Sequence, residues 1–255
     1  MARSDNAFLY EGTPEGDVIN ANNRANLVYG FAGNDTIFLL DGDDTALSHD
    51  GDDTIWGGNG NDVLKGMAGK DLLYGETGND ELWGQKGEDT LQGGDGADIL
   101  WGGADKDFQH GGSGADTFEY RTYWESTTRP FNDTNDGTPI GQPNPEYSDV
   151  TGGFADVDEI LGFESGIDKL LLTKLDADVS TPVVTSRKGS TGNDDFRYVS
   201  KTDGFVAGDL TVTYTYDAAG AVTGTTVDAH IDNDGIPDLT IFVHGYVNPA
   251  TDIWF

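Results

Sequence analysis

An aspartate recurs every nine residues through the first half of the sequence, each time at the end of a glycine-rich hexapeptide. The cleanest copies are Gly57-Gly-Asn-Gly-Asn-Asp-Val-Leu-Lys65 and Gly93-Gly-Asp-Gly-Ala-Asp-Ile-Leu-Trp101. Glycine permits backbone angles that turn carbonyl oxygens toward one point, and the aspartate adds a carboxylate. Calcium takes about six to eight oxygen ligands in proteins. The spacing of these oxygen donors therefore predicts calcium as the cofactor.

Twelve copies of the nonapeptide start at residues 12, 21, 30, 39, 48, 57, 66, 75, 84, 93, 102 and 111. Their sixth position supplies the candidate metal ligands, which are Asp17, Asp35, Asp44, Asp53, Asp62, Asp71, Asp80, Asp89, Asp98, Asp107 and Asp116, with Asn26 as the one exception. If two repeats make one coil, an ion between repeats n and n+2 draws ligands from both. Eight such pairs carry aspartate twice and avoid the irregular first repeats, so we expect about eight Ca²⁺ ions.

The eighth position of the repeat is apolar in every copy except the one that carries Gln109. Side chains alternate between the two faces of a strand, so position eight points inward while positions seven and nine point outward. The pattern predicts six turn residues followed by a strand of three. Stacked copies then form an all-β parallel β-roll of six coils, whose core is one side chain wide on each side.

The pattern G-G-x-G-x-D-x-U-x, with U apolar, resembles the calcium-binding nonapeptide repeat of the RTX (hemolysin-type) family. The resemblance implies a parallel β-roll that binds calcium. The roll is also similar to the RTX modules attached to alginate epimerases, which contact polysaccharide.

Charge supports a role for calcium in folding. Residues 12–119 hold 22 acidic and 5 basic side chains, a net charge of −17. Such a segment repels itself when no cation is bound, and eight Ca²⁺ ions would nearly cancel its charge. The whole chain carries a net charge of −32, which argues against nucleic acid or anionic membrane partners.

The second half of the sequence resembles the C-terminal region of serralysin-type metalloproteases. The similar segments are Gly114-Ala-Asp-Thr-Phe118, Asp158-Glu-Ile-Leu-Gly-Phe-Glu-Ser-Gly-Ile-Asp-Lys-Leu-Leu-Leu172 and the last residues, and Gly162 departs from the aspartate usual in that family. We therefore expect residues 1–119 to form the roll and residues 120–255 to form a C-terminal antiparallel β-rich cap. Strands are predicted around residues 170–172, 210–216, 221–228 and 239–243.

In that family an acidic residue followed by a few apolar ones forms the uncleaved signal for a type I (ABC-transporter) secretion apparatus. Asp252, Ile253, Trp254 and Phe255 fit this pattern, although a last strand that buries its apolar residues would read the same way. The first ten residues lack the apolar core of a secretory signal peptide, and no segment is apolar enough to span a membrane. The expected localisation is therefore secreted and extracellular, from a bacterium.

No catalytic motif accompanies the repeats. The sequence lacks the H-E-x-x-H of zinc proteases and the G-x-S-x-G of lipases, so we do not expect an enzyme. The acidic turn Asp232-Asn-Asp-Gly235 is either another calcium loop or a tight hairpin turn.

The outward position nine is unusually aromatic. Phe38, Trp56 and Tyr74 should stack on one face of the roll, and Trp83 should neighbour Trp101 on the other. Such rows either stiffen the sheet by cross-strand packing or stack on the rings of a polysaccharide ligand. Two alternatives to a calcium-folded export therefore stay open, namely a polysaccharide-binding module and a surface or structural protein.

Overall fold

The computed structural model describes residues 8–121, 158–173, 183–188, 194–199, 209–230 and 239–254. Every regular element in these ranges is a β-strand, which confirms the all-β class. No helix in the described part of the chain could span a membrane.

The repeats form two parallel sheets that face each other. Their strands are β1 (Phe8–Glu11), β2 (Val18–Asn20), β3 (Asn26–Ala32), β4 (Thr36–Asp41), β5 (Thr45–Asp50), β6 (Thr54–Asn59), β7 (Val63–Ala68), β8 (Leu72–Thr77), β9 (Glu81–Lys86), β10 (Thr90–Asp95), β11 (Ile99–Ala104), β12 (Phe108–Ser113) and β13 (Thr117–Arg121). Odd-numbered strands pair with odd ones and even with even, always in parallel. Each pair of nonapeptides therefore adds one strand to each sheet, as predicted for a β-roll.

The strands of the roll are longer than the sequence predicted. From β4 to β12 each strand has six residues, covering positions seven to nine of one repeat and positions one to three of the next. The first position points inward and keeps the chain in the ladder, so that Trp56 pairs with Tyr74 and Gly58 with Glu76. The turn is consequently shorter than the predicted hexapeptide.

The core is the column of side chains at position eight, as expected. Nine of its members are completely buried aliphatic or aromatic residues, namely Val28, Ile37, Ile55, Leu64, Leu73, Leu82, Leu91, Leu100 and Phe118. Gln109, the polar exception, is also completely buried, and its Nε2 donates a hydrogen bond of 3.0 Å to the Tyr120 hydroxyl. The roll tolerates this amide because one of its polar ends finds a buried partner.

Both sheets continue beyond the last repeat. β14 (Asp158–Leu161) pairs with β12 and β15 (Lys169–Thr173) pairs with β13, both in parallel. The remaining strands are β16 (Val183–Lys188), β17 (Asp194–Val199), β18 (Asp209–Tyr216), β19 (Val222–His230), β20 (Leu239–Val243) and β21 (Ile253–Trp254). β16 to β20 form the predicted antiparallel sheet, and β20 joins β14 in parallel. The cap thus covers the last coil by extending its sheets, and the boundary predicted after residue 119 falls within β13, so it stays a prediction.

Candidate metal sites

The aspartates at position six form a hydrogen-bonded ladder along each edge of the roll. We call the edge with Asp17, Asp35, Asp53, Asp71, Asp89 and Asp107 the first edge, and the edge with Asn26, Asp44, Asp62, Asp80, Asp98 and Asp116 the second edge. The Oδ1 of each aspartate accepts a hydrogen bond from the backbone N–H of the residue 18 positions earlier, at 2.6 to 3.0 Å. Two repeats per coil place these residues one above the other, so the sequence period alone builds the ladder.

The second carboxylate oxygen has no such partner in most rungs. Among the described residues, nothing donates a hydrogen bond to the buried Oδ2 of Asp35, Asp44, Asp62, Asp71, Asp80, Asp89, Asp98 or Asp116. Each of these side chains is at most 2% exposed. A buried carboxylate oxygen without a partner is costly unless a cation lies beside it. The rows of Oδ2 atoms therefore mark places for positive charge along both edges.

Backbone carbonyls converge on the same places. A Cβ added to Gly58, at position two, would fall 1.9 Å from the carbonyl oxygen of Leu40, and one added to Gly60, at position four, would fall 1.9 Å from that of Gly42. The carbonyls of positions two and four in one turn thus point toward the next turn on the same edge. A Cβ on Gly57, at position one, would lie 2.5 Å from Asp62 Oδ2. Oxygen atoms occupy the space that any side chain would need.

Asn26 shows which oxygens a cation would contact. Its Nδ2 donates hydrogen bonds to the carbonyl of Asn22 at 2.7 Å, to Asp44 Oδ1 at 2.9 Å and to the carbonyl of Arg24. These acceptors are positions two and four of its own turn and the ladder carboxylate of the next turn on the second edge. The partial positive charge of the amide group therefore stands where a cation would stand in the other turns. The residues present fit calcium, which prefers oxygen ligands.

Asp17 lies in a turn of a different kind. Its Oδ2 accepts hydrogen bonds from the backbone N–H of Thr13 at 2.6 Å and from the Thr13 hydroxyl at 2.9 Å. This carboxylate is satisfied within its own turn and needs no cation. The two pairs that the sequence marked as weaker, Asp17 with Asp35 and Asn26 with Asp44, are thus the two that protein donors already fill.

Position two of the repeat distinguishes the turns. It has a positive φ even where the residue is not glycine, as at Phe31, Leu40, His49, Met67, Glu76 and Gln85, with φ between 75° and 86°. This left-handed conformation costs a residue with a side chain roughly 1–2 kcal/mol. Thr13, which donates its N–H to Asp17, is not among the positive-φ residues. The strained conformation thus accompanies turns whose aspartate has an oxygen without a donor.

Burial shifts the acidity of the ladder carboxylates. Desolvation, the largest cause, raises the pKa of Asp62, Asp71 and Asp98 to about 7, that of Asp80 to about 6 and that of Asp89 to about 8. Hydrogen bonds from the preceding backbone N–H oppose this shift, and neighbouring carboxylates reinforce it in most of them. Without a cation, the folded roll therefore holds protons that the unfolded chain releases.

This difference predicts a pH dependence in metal-free solution. An aspartate in the unfolded chain has a pKa of about 4, so the folded state, with its raised pKa values, gains stability from protons. The gain is complete below about pH 4 and is lost as the pH rises through the range 6 to 8. We expect more β-structure at pH 5.5 than at pH 8 in metal-depleted buffer, measured by far-UV circular dichroism. Equal spectra at the two pH values would contradict this assignment, and a sample in saturating calcium serves as the control.

Replacing the amide that stands in for the cation should create a new site. In Asn26→Asp, the Nδ2 is exchanged for an oxygen beside the same carbonyls and the Asp44 carboxylate. We expect this variant to bind one more Ca²⁺ than the parent chain, counted by native mass spectrometry, and to lose structure in chelator because repulsion replaces three hydrogen bonds. An unchanged ion count would show that the place of the amide is not a metal position.

The aromatic residues at position nine pack against each other. The rings of Phe38 and Trp56 lie 4.6 Å apart at an angle of 8°, and those of Trp56 and Tyr74 lie 5.6 Å apart at 13°. Trp83 meets Trp101 edge to face, and the Lys65 ammonium lies 4.3 Å from the centre of the Trp83 ring. The predicted neighbours are confirmed. Both faces of the Trp56 ring contact other rings, which favours cross-strand packing as the role of this row.

The acidic residue of the predicted secretion signal is built into the cap. The completely buried carboxylate of Asp252 accepts hydrogen bonds from the Ser165 hydroxyl at 2.6 Å and from the backbone N–H of Gly166 at 3.1 Å and of Asn248 at 2.9 Å. Ile253 pairs with Leu170, and Trp254 is 55% exposed. Phe255 and the turn at residues 232–235 lie outside the described residues.

Sequence reasoning missed two members of the ladder. Asp158 Oδ1 accepts the backbone N–H of Asp107 at 2.8 Å, and Asp168 Oδ1 accepts that of Asp116 at 3.0 Å. These residues follow their partners by 51 and 52 positions, so the period of 18 does not reveal them. Their only signal is the similarity of the segment around them to the serralysin-type pattern.

Comparison with known proteins supports the reading of the repeats. Residues 11–46, 48–82 and 83–118 match the family of the RTX calcium-binding nonapeptide repeat (4 copies). No curated protein matches the sequence. Among solved structures, the AlgE6R3 subunit of the mannuronan C5-epimerase from Azotobacter vinelandii is similar at 16% identity, over 96% of this chain and 80% of that one. Its TM-score of 0.29 is too low to carry an argument.

Proposed function

We propose that residues 11–118, whose nonapeptides are RTX calcium-binding repeats, form a β-roll that folds when it binds extracellular calcium. The observation that carries the proposal is the row of buried Oδ2 atoms without hydrogen-bond donors on each edge. In water these oxygens are hydrated, and in the folded roll only a cation can replace that hydration. Calcium binding therefore contributes directly to the free energy of folding.

Each ion in this proposal lies between two successive turns of one edge. One turn supplies the carbonyls of positions two and four together with its aspartate, and the following turn supplies a second aspartate. Turns with aspartate in both places pair Asp35 with Asp53, Asp44 with Asp62, Asp53 with Asp71, Asp62 with Asp80, Asp71 with Asp89, Asp80 with Asp98, Asp89 with Asp107 and Asp98 with Asp116. These pairs give eight ions within the repeats. Asp17 is left out of the ligand set because Thr13 satisfies its carboxylate.

The same chemistry suits export in an unfolded state. With a net charge of −17 in residues 12–119, the calcium-free segment is expanded by self-repulsion. Cytosolic calcium is scarce compared with the outside of a cell, so the chain stays unfolded inside and folds after it has left. We propose that a type I secretion apparatus exports it and recognises the segment with Asp252, Ile253, Trp254 and Phe255. The exported protein has a structural, calcium-binding role and is not an enzyme.

The export part is tested in cells that carry a type I apparatus of the kind used by serralysin-type proteases. We expect removal of residues 252–255 to abolish appearance of the chain in the medium, while the parent chain is exported. Purified deletion variant is compared in calcium to separate export from stability. Equal export of both chains would exclude this segment as the signal and leave the calcium-dependent folding untouched.

Polysaccharide binding is the second candidate function, and it rests on the partly exposed indoles Trp83 and Trp101. These rings meet edge to face, so the stack that covers both faces of Trp56 is not repeated there. A shift of tryptophan fluorescence in Trp56→Phe on addition of an alginate-like polymer would support binding at Trp83 and Trp101. Calcium-dependent light scattering without any polymer would instead point to a surface-coat role.

A further inference from the structure

The last turn of the second edge resembles the interior turns and not the closed ones. Gly112 and Gly114, at positions two and four, have φ values of 113° and 136°, as in the other glycine-bearing turns. Asp116 is completely buried, and its Oδ2 accepts no hydrogen bond from the described residues. A Cβ on Gly111 would lie 2.2 Å from this oxygen. The turn therefore has an oxygen directed into a place that only a cation or a donor can fill.

No repeat follows this turn, but the cap supplies the missing partner. The loop at residues 162–168 lies above it, and Asp168 Oδ1 accepts the backbone N–H of Asp116 at 3.0 Å. Asp44 Oδ1 has the same relation to Asn26, at 2.6 Å, where the amide marks a cation position. The Lys169 N–H also donates to the Asp116 carbonyl at 2.8 Å, which continues the backbone ladder of the repeats. A residue outside the repeats thus takes the place of the next aspartate.

The loop itself ends the series. Asp168 Oδ2 accepts the backbone N–H of Glu164 at 2.7 Å, four residues earlier in the chain. This is the arrangement of Asp17 with Thr13, where the carboxylate is satisfied by its own turn. The two ends of the roll are therefore closed in the same way, by a backbone donor instead of a cation.

From this geometry we propose a further calcium site at the junction of roll and cap, beyond the eight within the repeats. Its ligands are the carbonyls of Gly112 and Gly114 and the carboxylates of Asp116 and Asp168. The proposal rests on the proposed function, because it uses the ligand set inferred for the interior turns. An ion here ties residues 162–168 to the last turn, beside the contact of Phe118 with Phe163 at 5.9 Å. Calcium then docks the cap as well as folding the roll.

The test is the difference in ion count between matched variants of the full chain. In Asp116→Asn the retained Oδ1 still accepts the Asp98 N–H, while the new amide fills the junction as Asn26 fills the first coil. We expect it to bind one Ca²⁺ fewer than the parent, by native mass spectrometry and calorimetric titration. Asp98→Asn, one coil below on the same edge, is the control and should also lose one ion. Asp168→Asn, which changes only the cap ligand, should weaken the same ion.

The outcomes separate the two proposals. If Asp98→Asn loses one ion while Asp116→Asn and Asp168→Asn keep the parent count, the junction holds no calcium and the inference is wrong. If none of the three variants changes the count, the ligand set inferred for the whole roll is wrong. Loss of one ion in Asp98→Asn and in Asp116→Asn supports the site.

Discussion

Substituting Gly78 with alanine is expected to prevent the roll from folding at calcium concentrations that fold the parent chain. Gly78 has a φ of 135°, and an alanine Cβ there would lie 1.6 Å from the carbonyl oxygen of Gly60. That atom belongs to the backbone of the preceding turn on the same edge, so it cannot rotate away. Together the left-handed conformation and the collision cost about 2–5 kcal/mol. The carbonyl of position four also leaves its place among the proposed ligands.

Gly220→Ala provides the matched control for this prediction. Gly220 has a φ of 84°, but no atom lies within 4 Å of an added Cβ. Its substitution should cost only the conformational strain, roughly 1–2 kcal/mol, and leave calcium binding unchanged. Thermal unfolding in saturating calcium measures both variants. Equal stability of the two alanine variants would show that the turns of the roll are not packed as described.

Removal of a single ladder carboxylate should have the next largest effect. In Asp80→Ala the backbone N–H of Asp62 loses its acceptor, which lies at 2.8 Å, in a site with almost no solvent. An unsatisfied buried donor costs about 1–3 kcal/mol. Asp80 is also a proposed ligand of two ions, one shared with Asp62 and one with Asp98. We therefore expect two ions to be weakened and the calcium concentration at half-folding to rise several-fold.

The control for Asp80→Ala is Asp95→Ala. Asp95 lies in an exposed turn of the same edge and accepts a hydrogen bond of 2.6 Å from the Ser113 hydroxyl. Both variants remove one negative charge from the repeats, so a general charge effect should act on them equally. Calorimetric titration should find the parent ion count in Asp95→Ala alone. An equal shift in both variants would mean that calcium neutralises the roll without occupying defined positions.

Much of the fold could be predicted because the period of the sequence is also the period of the structure. An apolar residue every nine positions places Leu64 and Leu82 in one column, and both are completely buried. The same period stacks the aspartates at intervals of 18 residues. The strand length was wrong because hydrophobicity does not report on position one, where glycine points inward without an apolar side chain.

The candidate site was less predictable, because its decisive features lie in hydrogen bonds and not in residue types. Asp17 and Asp35 have the same type and repeat position, yet only Asp17 is satisfied by a donor within its turn. The orientation of one peptide group decides this difference. The partnership of Asp168 with Asp116 was also beyond sequence reasoning, since it depends on how the cap returns to the roll.

The measurement that tests the account most directly is a calcium titration of the purified, metal-depleted chain at pH 8, followed by far-UV circular dichroism and calorimetry. We predict a cooperative change from coil to β-structure that takes up eight ions within the repeats and a further ion at the junction. The charge of −17 in residues 12–119 and the buried aspartate oxygens both require this coupling. A chain that is already fully β-structured in chelator, and whose spectrum calcium does not change, would contradict calcium-driven folding.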